Sequence, residues 1–168
     1  MGIDIYREGS GNPGTSNVFR TLGKGPAALV LLGDGAKGAL AAALAVAWVG
    51  ETAGFAAVAL AVLGHAFPLW HRFRGGKGVA TAIGGLIFLA PAVGVLLAVL
   101  WLVVVLVGKV ASVASLVAMA LYLPGLALVG RRGAVLGWAA AIVVLVVARH
   151  ASNIRRMWRG AERRLDSG

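Results

Sequence analysis

A chain of 168 residues that is 60% hydrophobic and only 13% charged is not a water-soluble globule, because wetting the surface of such a domain takes roughly 25% charged residues. Its formal charge of +10 comes from 16 Lys and Arg against six acidic residues, gathered between apolar runs and at the ends, as in cytoplasmic loops rather than a nucleic-acid-binding surface. With no cysteine, disulfides, thiolate metal sites and a thiol nucleophile are excluded, although no compartment is identified.

Met1 to Lys24 is polar, glycine-rich and charged, so no signal peptide opens the chain and the first apolar segment is expected to act as the insertion signal. Residues 26–49 are apolar apart from Asp34 and Lys37 and predict a first membrane helix of ~36 Å, long enough to span a tilted hydrocarbon core. A turn at Gly50 to Ala53 precedes a second predicted helix over 54–70, closed by the interfacial aromatic Trp70. A polar loop over 71–78 follows. The apolar run from Val79 to Gly108 is far too long for one crossing, at ~45 Å. Pro91 divides it into helices over 79–90 and 92–108, because proline removes a backbone bond and disfavours helix in the residue before it. Lys109 marks a water boundary. A fifth helix is predicted over 110–129, a turn at Arg131, Arg132 and Gly133, a sixth helix over 134–149, and a basic tail from His150.

Six crossings place the N-terminal segment, the 71–78 loop, Lys109 and the tail on one face, with 13 of the 16 basic residues. The positive-inside rule makes that face cytoplasmic. The expected fold is therefore all-α: one polytopic integral membrane helical bundle over residues 1–168, without internal repeats.

Three polar segments share the basic face. Arg7 to Arg20, REGSGNPGTSNVFR, sets glycines among Ser10, Asn12, Thr15, Ser16 and Asn17. Backbone amides beside glycine approach a ligand closely, and short hydroxyl and amide groups add directional bonds; a solvated connecting loop has a similar composition. In HRFRGGKGVAT, Gly75, Gly76, Lys77 and Gly78 precede a helix and offer amide donors, an ammonium and a helix N-terminus, an anion site suited to phosphate. It is no nucleotide P-loop, since the G-x-x-x-x-G-K-[ST] spacing is absent, and a basic loop pinned to lipid headgroups is its plainer alternative. His65 upstream reads as structural. In RHASNIRRMWRGAE, a continuing helix would put His150 and Asn153 on one face with Arg149 and Arg156. A histidine there is the one ordinary general base available; a juxtamembrane anchor with Trp158 is the alternative. Asp34 and Lys37, three apart within a membrane helix, read as a structural ion pair.

Together these segments closely resemble the three motifs of the bacterial acyl-phosphate-dependent glycerol-3-phosphate acyltransferases, the PlsY family. The resemblance rests on Ser10, Asn12, Gly14, Asn17 and Arg20, on GHAFPLWHRFRGGKGVAT, on RHASNIRRMWRGAE and on DGAKG in the first helix. It implies acyl transfer from acyl phosphate to the 1-hydroxyl of glycerol 3-phosphate, giving lysophosphatidic acid and phosphate, in the bacterial cytoplasmic (inner) membrane with the active site facing the cytoplasm. By resemblance Ser10, Arg20, His150 and Asn153 are catalytic. Asn12, Asn17, Lys37, Gly75, Gly76, Lys77, Gly78 and Thr81 are implied to bind substrate, and Asp34, His65 and Glu162 to be structural. No cofactor, metal or nucleic acid is expected, membrane lipid is the surroundings, and the chain is expected to be a monomer. The proton acceptor stays open between His150 and a substrate phosphate oxygen. Family members usually carry a further helix before the first motif, which implies either a start upstream of Met1 or a six-helix variant. A small organic-phosphate transporter or a structural lipid-binding protein are the competing classes.

Overall fold

The computed structural model describes residues 2–166, and every regular element among them is helical. In chain order these are α1 (Thr15–Leu22), α2 (Lys24–Trp48), α3 (Glu51–Ala66), a single 3-10 turn (Leu69–His71), α4 (Val79–Leu89), α5 (Pro91–Gly108), α6 (Ala111–Leu128), α7 (Ala134–Arg149) and α8 (Ala151–Trp158). The long apolar run breaks at Pro91 as its chemistry requires. Ala90 leaves the helical region, at φ −146° and ψ 77°, and Pro91 takes the first helical position, where its missing N–H costs nothing.

Two expectations are corrected. The second helix does not run over 54–70 but opens at Glu51 and closes at Ala66. Val49 and Gly50, the latter at φ +120°, make the turn, Glu51 favours the helix dipole from the first turn, and Pro68 stops continuation. The polar ends carry two short amphipathic helices, α1 and α8. The count of six full crossings also narrows. Four helices are long and apolar enough to span a membrane, or five if α7 and α8, bent by 54°, make one span. With 11 residues, α4 is only ~16 Å long, about half a hydrocarbon core.

Protein covers most of this short helix, leaving Ile87 and Phe88 exposed, which explains why it persists. Thr81, Ala82, Ile83, Gly85, Leu86 and Leu89 of α4 are buried, so its ends meet protein groups rather than lipid, and non-spanning backbone at membrane depth is tolerated on that condition. Its most extensive packing is against α2, and glycines make the approach possible. A Cβ at Gly38 would strike the Thr81 carbonyl, and one at Gly84 would strike the Gly35 backbone. Bilayer tails offer no hydrophobic gain over a neighbouring helix, so close backbone contact through small residues is what holds the pair. Phe55, Val58, Val62, Leu86, Met119, Tyr122, Ile142 and Val146 fill the core between α3, α4, α6 and α7, while Leu29, Leu40, Leu44, Leu96, Leu106, Leu128 and Val144 point outward.

The turns fix which polar segments meet. Arg131 Nη2 lies 2.6 Å from Glu51 Oε1, and Ala90, Pro91, Val129 and Arg131 border one cleft. The reversals near residues 50, 90 and 130 thus share one end of the bundle, and the three polar segments occupy the other.

Replacing Gly38 by leucine is expected to lower thermal stability in detergent by at least about 3 kcal/mol, as for severe overpacking. Gly33→Ala on the same helix, where a Cβ meets nothing within 4 Å, should be neutral or slightly stabilising. Equal unfolding temperatures for the two variants would contradict this packing.

Candidate active site

A cavity of about 520 Å³ opens at the end of the bundle that carries α1, the 67–78 loop and α8. Its chemistry is divided. Ser10, Asn12, Arg20, Lys77, His150 and Asn153 supply polar lining, and Leu31, Leu32, Ile83, Ile87, Trp101 and Leu102 of α2, α4 and α5 supply apolar lining.

The first polar segment folds around Asn17. That side chain is buried; its Oδ1 accepts from the Ser10 amide at 2.8 Å, and its Nδ2 donates to the carbonyls of Glu8 (3.0 Å) and Ile5 (3.4 Å). Both ends of the amide are therefore committed to the loop's own backbone, although Asn17 also borders the cavity. Gly9, at φ +57°, leaves no room for a Cβ beside Asn17 Oδ1. Asn12 accepts from the Gly14 amide at 2.9 Å and donates to the Gly75 carbonyl at 3.5 Å, joining the first segment to the second.

The second segment departs from the amide cradle its sequence suggests. The Gly75 and Gly76 amides donate to the carbonyls of Ala66 and His65, both at 3.2 Å. These are among the unpaired acceptors at the end of α3. The two carbonyls accept from Arg149, Nη2 to Gly75 O at 3.0 Å and Nε to Gly76 O at 3.3 Å. With those groups occupied, Lys77, Gly78 and the start of α4 remain to face the cavity, and Lys77 and Gly78 line it whereas Gly75 and Gly76 do not.

Thr81 and Lys37 also lie outside the lining. Thr81 is wholly buried and its Oγ1 has no hydrogen-bond partner. Lys37, with its side chain 60% exposed, pairs with Asp34 at 2.8 Å. Asp34 Oδ1 also lies 3.4 Å from His65 Nδ1, so the expected ion pair is a three-membered cluster reaching the cavity through Asp34 and His65.

In the third segment the helix does not run on past Arg149; it bends by 54° at His150. Both His150 (1% exposed) and Asn153 (4% exposed) still turn into the site. His150 Nδ1 is 2.8 Å from the Val146 carbonyl. A carbonyl can only accept, so Nδ1 carries the hydrogen and Nε2 keeps a lone pair. Burial first, and then the charge of Lys77, lower the His150 pKa to about 4, which keeps the ring neutral at ordinary pH.

Lys77 Nζ donates to Asn153 Oδ1 at 2.5 Å, and Asn153 Nδ2 donates to Glu162 Oε1 at 2.6 Å. A carboxylate on one side and an ammonium on the other admit only this orientation of the amide. Glu162 also accepts from Ser112 at 3.0 Å and Arg156 at 2.9 Å. Burial pushes the Glu162 carboxyl up, but bonds from Asn153, Arg156 and Ser112 outweigh it and hold the pKa below the usual value. Burial chiefly lowers the Lys77 pKa to about 8; Glu162 opposes the shift, and Arg156, Arg20 and Arg149 add to it. Arg20 is likewise lowered, by burial and then by Arg163. A cavity lined by Arg20, Lys77, Arg156 and Arg163 against two carboxylates, Glu162 among them and Asp34 paired with Lys37, is poised for anions.

Sequence reasoning assigned no site role to Arg149, Ser112, Ser115 or Trp101. Trp101 Nε1 donates to Ser115 Oγ at 3.0 Å, tying α5 to α6 beside the cavity. Only Arg149 had a local signal, its place beside His150 in a basic segment.

A family model described as glycerol-3-phosphate acyltransferase matches residues 1–160. A glycerol-3-phosphate acyltransferase of Cereibacter sphaeroides is 44% identical over 163 residues, covering 96% of this chain and 77% of that protein. Among solved structures, the glycerol 3-phosphate form of PlsY (YgiH), an integral membrane glycerol 3-phosphate acyltransferase, superposes with a TM-score of 0.92 at 37% identity, covering 97% of this chain and 82% of that one. Its lysophosphatidic acid form gives 0.87 at 37% identity, with coverage of 92% and 80%.

Inorganic phosphate binding should be strong while Lys77 is charged and should fall as pH rises through about 8, by up to ~10-fold per pH unit. In Lys77→Arg, whose cation does not titrate in this range, the fall should vanish. Titration calorimetry at a series of pH values checks this, and constant affinity across the range in the parent protein would contradict it.

Proposed function

This chain belongs to the glycerol-3-phosphate acyltransferase family, an enzyme family of bacterial integral membrane proteins, and from that premise we propose that it transfers the acyl group of an acyl phosphate to the 1-hydroxyl of sn-glycerol 3-phosphate. The products are 1-acyl-glycerol 3-phosphate (lysophosphatidic acid) and inorganic phosphate, in the first acylation of bacterial phospholipid synthesis. Family membership sets aside the transporter and structural lipid-binding readings. The observation that carries the proposal is the mixed lining of this cavity, which sets cations and a neutral histidine in one space with apolar side chains of α2, α4 and α5.

The mixed lining matches the reactants. Glycerol 3-phosphate and the phosphate of the donor bring anions for Arg20 and Lys77, while an acyl chain lies against Leu31, Leu32, Ile83, Ile87 and Trp101. A mixed anhydride is already activated, so alignment and charge neutralisation account for most of the catalysis required. The substrate hydroxyl donates to His150 Nε2, and its oxygen attacks the acyl carbonyl to give a tetrahedral oxyanion. Collapse breaks the bond from the acyl carbon to the bridging oxygen, and phosphate leaves with that electron pair. A histidine with a pKa of about 4 is a weaker base than phosphate, whose second ionisation lies near pH ~6. The proton therefore ends on a phosphate oxygen, and His150 serves chiefly to aim the hydroxyl. No acyl-enzyme forms and no cofactor is needed. The basic end of the bundle, with 13 of 16 Lys and Arg, supports a site facing the cytoplasm in the inner membrane, and one chain acts as a monomer.

The test is lysophosphatidic acid formation by the purified protein in lipid cubic phase, with glycerol 3-phosphate and either palmitoyl phosphate or palmitoyl-CoA. Product from acyl phosphate alone is expected. Product from the thioester alone would overturn the donor, and product from neither would overturn the reaction. His150→Ala should lower turnover by roughly 10²-fold, the scale of a misaligned reactant; unchanged turnover would remove His150 from the mechanism.

A further inference from the structure

Two consecutive glycines precede Lys77 because nothing larger fits. A Cβ at Gly75 would strike the His65 carbonyl, and one at Gly76 would strike His65 Nε2. Glycine solves the steric problem but leaves the backbone with its widest conformational freedom, at the point that sets where the Lys77 side chain leaves the loop. Something else must remove that freedom. The α3 carbonyls hold the two amides. The opposite edge, the two carbonyls, is held by one guanidinium, with Asn12 adding a long 3.5 Å bond to Gly75.

We propose that Arg149 is a positioning residue for Lys77: braced on the Phe67 ring, its planar fork grips the Gly75 and Gly76 carbonyls and so aims the lysine at Asn153 and the substrate phosphate. The guanidinium carbon lies 5.0 Å from the Phe67 ring centroid, within cation–π range. No carboxylate pairs with Arg149 in the ion pairs among the described residues, so its recorded partners are these carbonyls and this ring. Arg149 is also the last residue of α7, immediately before His150. One helix end thereby sets both the histidine that meets the hydroxyl and, through the loop, the lysine that meets the phosphate. Only a rigid bidentate donor performs this task; a lysine there keeps the charge but loses the fork and the stacking.

The inference rests on the acyltransferase reading, so the parent protein is assayed first. If it makes no lysophosphatidic acid, that reading fails, and the inference fails with it. In an active parent, Arg149→Lys is the decisive variant because it preserves the charge that Lys77 senses from Arg149, beside the unchanged Glu162, Arg156 and Arg20. Expected is a rise of at least about 10-fold in KM for glycerol 3-phosphate, the scale of lost charge-assisted bonds, with KM for acyl phosphate within about twofold. The alkaline limb of kcat/KM should also move upward from about 8, as a released lysine regains water. Arg149→Ala should behave likewise, and added methylguanidine should restore part of the loss. An unchanged glycerol 3-phosphate KM and an unmoved limb in Arg149→Lys would overturn the proposal, as would an equal rise in both KM values, which signals general loosening. If Arg149→Lys does not accumulate folded, Phe67→Leu, which removes the brace but leaves the arginine, is judged by the same two readouts with the same outcomes deciding.

Discussion

The bond between the Lys77 ammonium and the Asn153 amide oxygen joins residues 76 apart in the chain, and the geometry of the site depends on it. Neither group is easily buried alone. An ammonium moved out of water needs acceptors, and an amide needs partners at both ends. Each supplies what the other lacks, and Glu162 completes the amide by accepting from its nitrogen. The carboxylate is in turn held by Ser112 and Arg156. This chain of polar contacts links the loop before α4, the start of α6, α8 and the C-terminal segment. It also leaves a net positive cavity, because the two lining carboxylates, Glu162 and Asp34, do not offset four cations. The remaining charge is the site's capacity for phosphate.

The membrane environment explains how such a site is held rigidly with few polar groups. Lipid tails stabilise every apolar helix face about equally, so specificity comes from contacts that lipid cannot imitate. Gly35, Gly38 and Gly84 bring α2 and α4 into backbone contact, and that contact fixes the start of α4 where Lys77 and Gly78 enter. At the other end, the Glu51–Arg131 pair ties two turns together. Charged groups near hydrocarbon are expensive, and here each does defined work: Asp34 gathers Lys37 and His65, and His65 closes one side of the Gly75–Gly76 loop.

Much of this was legible in the sequence, for physical reasons that also mark where legibility stops. Long apolar runs and Pro91 gave the membrane helices, because hydrophobic length and a missing amide are local properties. The shared polar end followed from charge and parity. The helices α1 and α8 were not legible as such, since eight residues without an apolar run carry little periodic signal. The bend at His150 has neither proline nor glycine to announce it. The glycine loop misled in an instructive way. GGKG does suggest amides for an anion, but the unpaired carbonyls ending α3 take two of them, a competition that only the tertiary arrangement decides. Thr81 lies outside the cavity lining for a related reason, since one turn of helix past the loop carries it to Gly38.

The central claim is that Lys77 and Asn153 act as one unit in holding the phosphate of glycerol 3-phosphate. A double-mutant cycle on its binding affinity, with Lys77→Met, Asn153→Leu and the double variant, tests this most directly. The account predicts that the double variant binds about as weakly as the weaker single one, with a coupling of at least about 1 kcal/mol. Losses that simply add would contradict it.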